Sequence, residues 1–422
     1  MRKRIALVNV LVALAMVASF MALKSAKVSA SVSHSKTVVT LDGWASTPAE
    51  PKDLKKVLNA FQKKNPNIQV QYNVVNGDFE SQMKAAFAAG RGPDVLYADE
   101  GWAQDFERTG RFQALNKYAA KDKSFHQGDF YPGLVKGFTV GKKIYGFPKD
   151  YSTLALWYNT KIMKALHIKH PPTDVNSFSR VACAIRRYEV KHHHNKVYGA
   201  GLPNDLARWQ PILQAFGGHV MNAAQTKPEI NSSPGVKAIR WWTGLVHKGC
   251  AAEPSQVGAG WSGQEFGQGN AAMVFEGPWL LPGMQTTWKS IHWRIAPLPT
   301  GPKGNGNLAF SVAYAMNKNS HVKSAAWKLI SYLTGRVGEA KWVKLFQVLP
   351  ARRSIKPPKG DGAFVRGAAY AEPWSFKPGF FNPGGPNTTI GNDLDKVALH
   401  GMSAKAMAKD VANSIKIWLK NG

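Results

Sequence analysis

Two stretches far apart in the chain each carry an apolar run into a turn where carboxylates sit beside an indole: Asp99-Glu100-Gly101-Trp102 and Glu276-Gly277-Pro278-Trp279. Carboxylates accept hydrogen bonds from hydroxyls, while an indole face covers the C–H side of a pyranose ring without demanding directional partners. The pairing addresses both surfaces of a carbohydrate. Trp279 follows Gly-Pro, which projects its side chain from a turn, and Trp44 with Ser46 lies in a loop of small neighbours. Trp241, Trp242 and Trp327 recur at helical spacing and read as core.

The elements that must position these residues follow from periodicity. Residues 37–41 are β-prone, Leu54, Val57, Leu58 and Phe61 recur at helical spacing, and Ile68, Val70, Tyr72 and Val74 alternate as a half-buried strand. An Ala-rich helix stops at Gly90, and Pro93 leads into the buried strand 95–98. This order predicts a doubly wound α/β domain with a largely parallel sheet, whose ligands sit beyond the carboxyl ends of strands. Trp44, Ser46, Asp99 and Trp102 fall there. The α/β order recurs between residues 178 and 316, so a second lobe is expected, with a crossing near residues 148–151 and a linker at 356–360.

The chain has 422 residues, 14 of them Trp, enough for two domains. Residues 1–30 run from Met1-Arg2-Lys3-Arg4 through an apolar stretch to Val28-Ser29-Ala30, the order of a secretory signal cleaved after Ala30. An uncleaved membrane anchor is the alternative, because the apolar stretch is long enough to span a bilayer. The two cysteines are Cys183 and Cys250, so none follows that stretch to accept a lipid, and a lipoprotein is not expected. Whether the two cysteines pair stays open at this level. Lys and Arg number 55 against 26 Asp and Glu, and the lysines are scattered, which fits a solvated face or an anionic surface better than a nucleic-acid groove. His192-His193-His194 reads as a basic loop, since adjacent residues do not converge on one ion. No metal or cofactor is expected.

The ordered set Leu58-Asn59-Ala60-Phe61, Gly92-Pro93-Asp94-Val95, Tyr145-Gly146-Phe147-Pro148, Leu156-Trp157-Tyr158-Asn159, Gly269-Asn270-Ala271-Ala272-Met273, Glu276-Gly277-Pro278-Trp279, Pro297-Leu298-Pro299 and Leu349-Pro350-Ala351-Arg352 resembles extracellular solute-binding proteins of sugar ABC importers, the maltose-binding-protein-like family. The resemblance covers nearly the whole chain after residue 30. It implies a two-lobed, type II periplasmic-binding-protein fold, each lobe a central sheet flanked by helices, with a hinge crossed three times. After the signal at 1–30, the expected lobe segments are 31–148 and 311–356 for the N-terminal lobe, 149–310 and 357–422 for the C-terminal lobe. It also implies ligand contacts at Trp44, Ser46, Asp99, Trp102, Asp150, Ser152, Trp209 and Trp279, more loosely at Arg352 and Trp374. Glu100 and Glu276 join them as neighbours in the two turns. The segment 374–386 fits no family pattern.

Each of these has a plainer role to weigh. Asp99 and Glu100 can cap the helix that opens near Trp102, and Asp150 can simply hold hinge geometry. The favoured function is a non-catalytic, monomeric receptor that closes over an oligosaccharide, such as a maltose- or trehalose-type disaccharide, and hands it to membrane permease subunits of an ABC importer. A same-fold receptor for glycerol-phosphate esters or acidic sugars is the first alternative; the acidic turns disfavour it. A secreted glycoside hydrolase is the second, and no local motif supplies its pair of carboxylates at fixed separation.

Overall fold

The computed structural model describes residues 35–192, 197–359 and 362–421. The expected signal at 1–30, and His193 and His194 of the histidine run, lie outside the described residues. From Thr37 to the C-terminus the chain forms one compact unit built on two main sheets.

The first sheet contains β1 (Thr37–Gly43), β2 (Ile68–Val74), β3 (Val95–Asp99), β6 (Gly146–Thr153), β12 (Leu308–Met316) and β13 (Glu372–Pro373). A separate hairpin pairs β4 (Thr139–Val140) with β5 (Lys143–Ile144). In the first sheet β1 is parallel to β2 and to β3, as the strand–helix–strand order predicts. The expectation of a largely parallel sheet holds for that part and for the short pairing of β12 with β13. β12 runs antiparallel to β3 and β6, because it returns from the other sheet and not from a crossover helix.

The second sheet contains β7 (Ala155–Asn159), β8 (Ala200–Gly201), β9 (Ala251–Ala252), β10 (Met273–Glu276) and β11 (Trp293–Ala296), in the order β11-β7-β10-β8-β9. β6 stays in the first sheet through Thr153, and only Leu154 separates it from β7 in the second. Asn307 pins this junction: its side-chain amide donates to Leu154 O at 2.9 Å, while Leu154 N donates to its Oδ1 at 3.0 Å.

Helices cover both sheets for the reason the apolar spacing gives. The helix Glu50–Lys64 buries Leu54, Val57, Leu58 and Phe61 against the first sheet and turns its lysines outward. With the helices Lys323–Leu333 and Arg336–Phe346 it forms a layer in which the three helices touch one another and strands of that sheet. Each large side chain so buried contributes about 1.5–3 kcal/mol. The second sheet has its own core, containing Phe178, Trp209, Trp242 and Phe275, and it recruits the C-terminal helices Pro386–Leu399 and Ala404–Asn421. There Cys183 and Cys250 are joined by a disulfide with Cα atoms 4.6 Å apart, tying the helix Val175–His192 to the residue before β9. Among the described residues no helix is long and apolar enough to cross a membrane.

Candidate functional site

The carboxyl end of β3 turns sharply at Asp99, whose Oδ1 accepts the Gly101 N–H at 2.8 Å. Asp99 therefore caps no helix; Trp102 precedes the helix Ala103–Arg108 and supplies no side-chain cap. A Cβ on Gly101 would lie 3.0 Å from Asp99 Oδ1, 3.1 Å from the Phe381 ring and 3.3 Å from the Trp374 indole nitrogen. Glycine is what lets those three groups close together. Burial pushes the Asp99 carboxyl up to about 6, against the Gly101 N–H, which favours its charge. Its neighbour Glu100 is buried, accepts the Ser311 N–H at 3.2 Å, and is held well above the usual carboxylate range, first by burial and then by Asp99. It lines a cavity of about 840 Å³ together with Lys136 and Thr139 on its own side and Gln210, Asn222 and Gln225 from the second-sheet body.

The indole beside Asp99 is Trp374, not Trp102. Trp102 packs into the first core, 4.9 Å from Phe106 and 6.2 Å from Phe79 between ring centroids. Trp374 arrives because its N–H donates to Ala309 O, extending the short β12–β13 pairing past Asp99. An aromatic column runs from it: Trp374 to Phe310 at 5.6 Å, and Phe310 to Trp279 at 5.7 Å and 87°.

At the far end of the column Glu276 is wholly buried at the end of β10. Its carboxylate accepts Trp279 Nε1–H at 2.8 Å, Ser262 Oγ–H at 2.5 Å, and Arg208 Nη2–H at 2.9 and 3.2 Å. With every lone pair so engaged, Glu276 positions Trp279 and Arg208 and is not itself open to a ligand. The Arg208 guanidinium carbon lies 5.6 Å from the Trp279 ring centre. Burial works against its charge, but Glu276 and then Asp205 hold its pKa above the ordinary value.

Arg208 is the group that sequence reasoning missed, choosing its neighbour Trp209. The helix Leu206–Ala215 starts at Asp205, whose side chain accepts the Arg208 N–H, and it buries Leu206, Trp209, Gln210, Ile212 and Leu213. That pattern leaves position 208 facing out, a signal present in the sequence. Trp209 is 0% exposed in the second core, so the expectation that it faces a ligand is corrected.

Three further expectations change. Arg352 is buried, with Nε donating to Thr334 O, Nη1 to His126 O and Nη2 to Phe125 O, and its guanidinium carbon lies 4.0 Å from the Phe130 ring centre. Its fork of donors ties loops together and leaves nothing for a sugar. Asp150 pairs with Lys149 at 2.9 Å and accepts the Trp342 indole N–H inside the first body, which is the hinge-holding role. Ser152 is buried on β6 opposite Phe310. Trp44 is half-buried, 5.1 Å from both Phe79 and Tyr97, and Ser46 gives its backbone N–H to Glu50 at 2.7 Å. Both lie in the loop that follows β1.

The unplaced segment 374–386 acquires a position. Anchored in the second core by Phe376 and Phe380, stacked at 3.9 Å, it reaches the first body, where Gly379 N–H donates to Asp105 Oδ1 at 2.8 Å and Lys84 Nζ to Asn382 Oδ1 at 3.0 Å. It is a strap between the bodies carried by the two sheets. Among the described residues no group of three or more His, Cys, Asp or Glu is placed to hold a metal ion.

Two α/β bodies joined at adjoining strands, with aromatic and carboxylate groups gathered where strands end, define a ligand-binding clamp. The chain belongs to the bacterial extracellular solute-binding protein family, whose model matches residues 56–369. It is 22% identical over 299 residues to the maltotriose-binding protein of Pyrococcus abyssi, covering 68% of this chain and 60% of that one. The fold is that of the solute-binding protein Lmo0181 from Listeria monocytogenes in complex with cycloalternan, with a TM-score of 0.82 at 20% identity over 91% of this chain and 99% of that one. UgpB from Mycobacterium tuberculosis, in complex with glycerophosphocholine, superposes with a TM-score of 0.77 at 19% identity over 90% of this chain and 98% of that one. The maltose-binding-protein-like fold read from the sequence is therefore the fold of this chain.

Proposed function

We propose that this chain is the receptor of an ABC importer for a neutral oligosaccharide of the maltodextrin class, captured between the two bodies and passed to membrane permease subunits without chemical change. In this reading 31–148 and 311–356 make one lobe and 149–310 and 357–422 the other. It acts as an exported monomer. The observation that carries the proposal is the column Trp374–Phe310–Trp279, with Asp99 at one end and the Glu276-held Arg208 at the other. The half-buried Phe310 and Trp279 would cover the sugar rings, backed by the buried Trp374, while Asp99 and Arg208 offer an acceptor and donors to hydroxyls. Glu100, next in sequence to Asp99, lines the cavity between the two bodies.

Relatives of this fold bind both α-glucans and a glycerophosphodiester, so fold alone does not choose between them. The balance of charge favours the neutral ligand: Arg208 is already matched by Glu276, and Asp99 and Glu100 would meet a phosphate with acid groups. Calorimetry with maltose, maltotriose, trehalose and glycerophosphocholine tests this. Binding of an α-glucan, lost on Trp279→Ala and accompanied by a change in tryptophan emission, is expected. Binding of glycerophosphocholine alone would overturn the proposal, and release of smaller sugars on prolonged incubation would overturn its non-catalytic part.

A further inference from the structure

The basic excess has a location. Among the described residues Glu50, Glu100, Asp150, Glu265, Glu276 and Glu339 are buried, most of the other acids are half-buried, and Asp78, Glu372 and Asp410 are the exposed ones. Among the described residues no lysine but Lys149 is buried. The lysines are densest on the three-helix layer over the first sheet, where the helices Glu50–Lys64, Lys323–Leu333 and Arg336–Phe346 carry ten Lys and Arg residues, nine of them exposed. The same helices hold three acids, of which Glu50 and Glu339 are buried and Asp53 is taken by Lys56. On the helix Glu50–Lys64, the residues Lys52, Lys55, Lys56 and Lys63 project opposite the buried stripe of Leu54, Val57 and Phe61.

We propose that this layer is a docking surface for an anionic phospholipid bilayer, which holds the receptor at the membrane face. Nine of the ten cations are Lys, compact point charges that suit a diffuse field, and not the Arg forks that select a single phosphate. The array is two-dimensional. A 15-residue helix is about 22 Å long and packed helices lie about 8–10 Å apart, so its charges spread well beyond the Debye length of about 8 Å at physiological salt. Only a plane of opposite charge meets all of them at once; a linear polyanion follows one row. Val337, 51% exposed at the start of the third helix, adds an apolar tip at the edge of the layer. This inference is independent of which solute the cleft takes.

The test is co-sedimentation of the full chain with phosphatidylcholine vesicles, with and without phosphatidylglycerol, at rising sodium chloride. Retention that needs phosphatidylglycerol and falls with salt is expected. Lys52→Glu with Lys55→Glu, Lys56→Glu and Lys63→Glu should lower the partition constant by about a thousandfold or more, since each lysine near an anionic surface contributes of order a factor of five. The control is the same four-residue reversal at Lys405, Lys409, Lys416 and Lys420, exposed on one face of the helix Ala404–Asn421. It alters net charge equally and should retain most of the binding. Should the first variant not fold, Lys328→Glu with Lys341→Glu and Lys344→Glu tests the same surface from the other two helices. Equal losses in the two four-residue variants, no retention of the unaltered protein, or retention by a soluble polyphosphate but not by vesicles would each overturn the proposal.

Discussion

Replacing Glu276 by Gln preserves shape and removes one acceptor oxygen and the charge. The carboxylate now satisfies Trp279, Ser262 and both contacts of Arg208 Nη2. The glutamine amide would point two N–H donors into that ring of donors, so at least one charge-assisted bond and one neutral bond are lost, and Arg208 is left without its main counter-charge. Charge-assisted bonds contribute about 1.5–3 kcal/mol, and breaking a buried pair costs about 3–5 kcal/mol. Because the Arg208 side chain is 19% exposed, water recovers part of this, and about 3 kcal/mol is the expected loss in urea unfolding. Freed from Glu276, Trp279 loses the bond that fixes its ring against Phe310, and we expect about 2 kcal/mol less affinity for maltotriose, roughly thirtyfold in Kd by calorimetry. Arg208→Met combined with Glu276→Gln should be less damaging than the sum of the two, because the stranded partner is gone. Full stability with an affinity within threefold of the unaltered protein would refute the assignment of Glu276 as the residue that positions this wall.

Asp99, raised to about 6 by burial, stabilises the fold most when protonated: stability should fall as pH rises from about 4 through about 6, and Asp99→Asn should flatten thermal melts across that window. Glu265 is wholly buried with neither oxygen hydrogen-bonded and is pushed up to about 8, first by burial and then by Glu253; Glu265→Gln should remove a decline in stability between about 4.5 and 8 in the same melts. Replacing Cys183 and Cys250 together by Ser opens a loop with a sequence separation of 67 and should cost about 4 kcal/mol in denaturant unfolding on the chain-entropy account. Asp105→Asn, at the strap, should speed sugar release in stopped-flow fluorescence while leaving the melting temperature nearly unchanged, since it weakens one bond to Gly379 at the rim.

Much of the first body was legible because its elements are local: the stripe of Leu54, Val57, Leu58 and Phe61 and the alternation of Ile68 to Val74 each fix one face within a few residues. The mixed sheet was not, since the pairing of β12 with β3 joins residues more than two hundred apart, and nothing in either strand alone states its direction. At the site, Asp99 and Trp279 were found from composition at strand ends. Trp374 was named only loosely, and its pairing with Asp99 depends on the β12–β13 register. Arg352 and Trp209 misled for one reason: a side chain able to bind a sugar is equally able to satisfy carbonyls or fill a core, and only burial distinguishes the uses. The disulfide, left open by the sequence, needed the two Cα atoms placed.

The withdrawal of acids from the surface has a consequence for behaviour in acid. A typical soluble protein gains positive charge steeply below pH 5 as its exposed carboxylates take up protons, and its colloidal properties change with it. Here Asp78, Glu372 and Asp410 are the exposed acids among the described residues, most others are half-buried, and several buried ones sit high enough to hold their protons already. Those buried acids have no further proton to take up, so electrophoretic mobility should rise less steeply on acidification than a count of 26 Asp and Glu alone would give, the half-exposed carboxylates and the histidines supplying the gain.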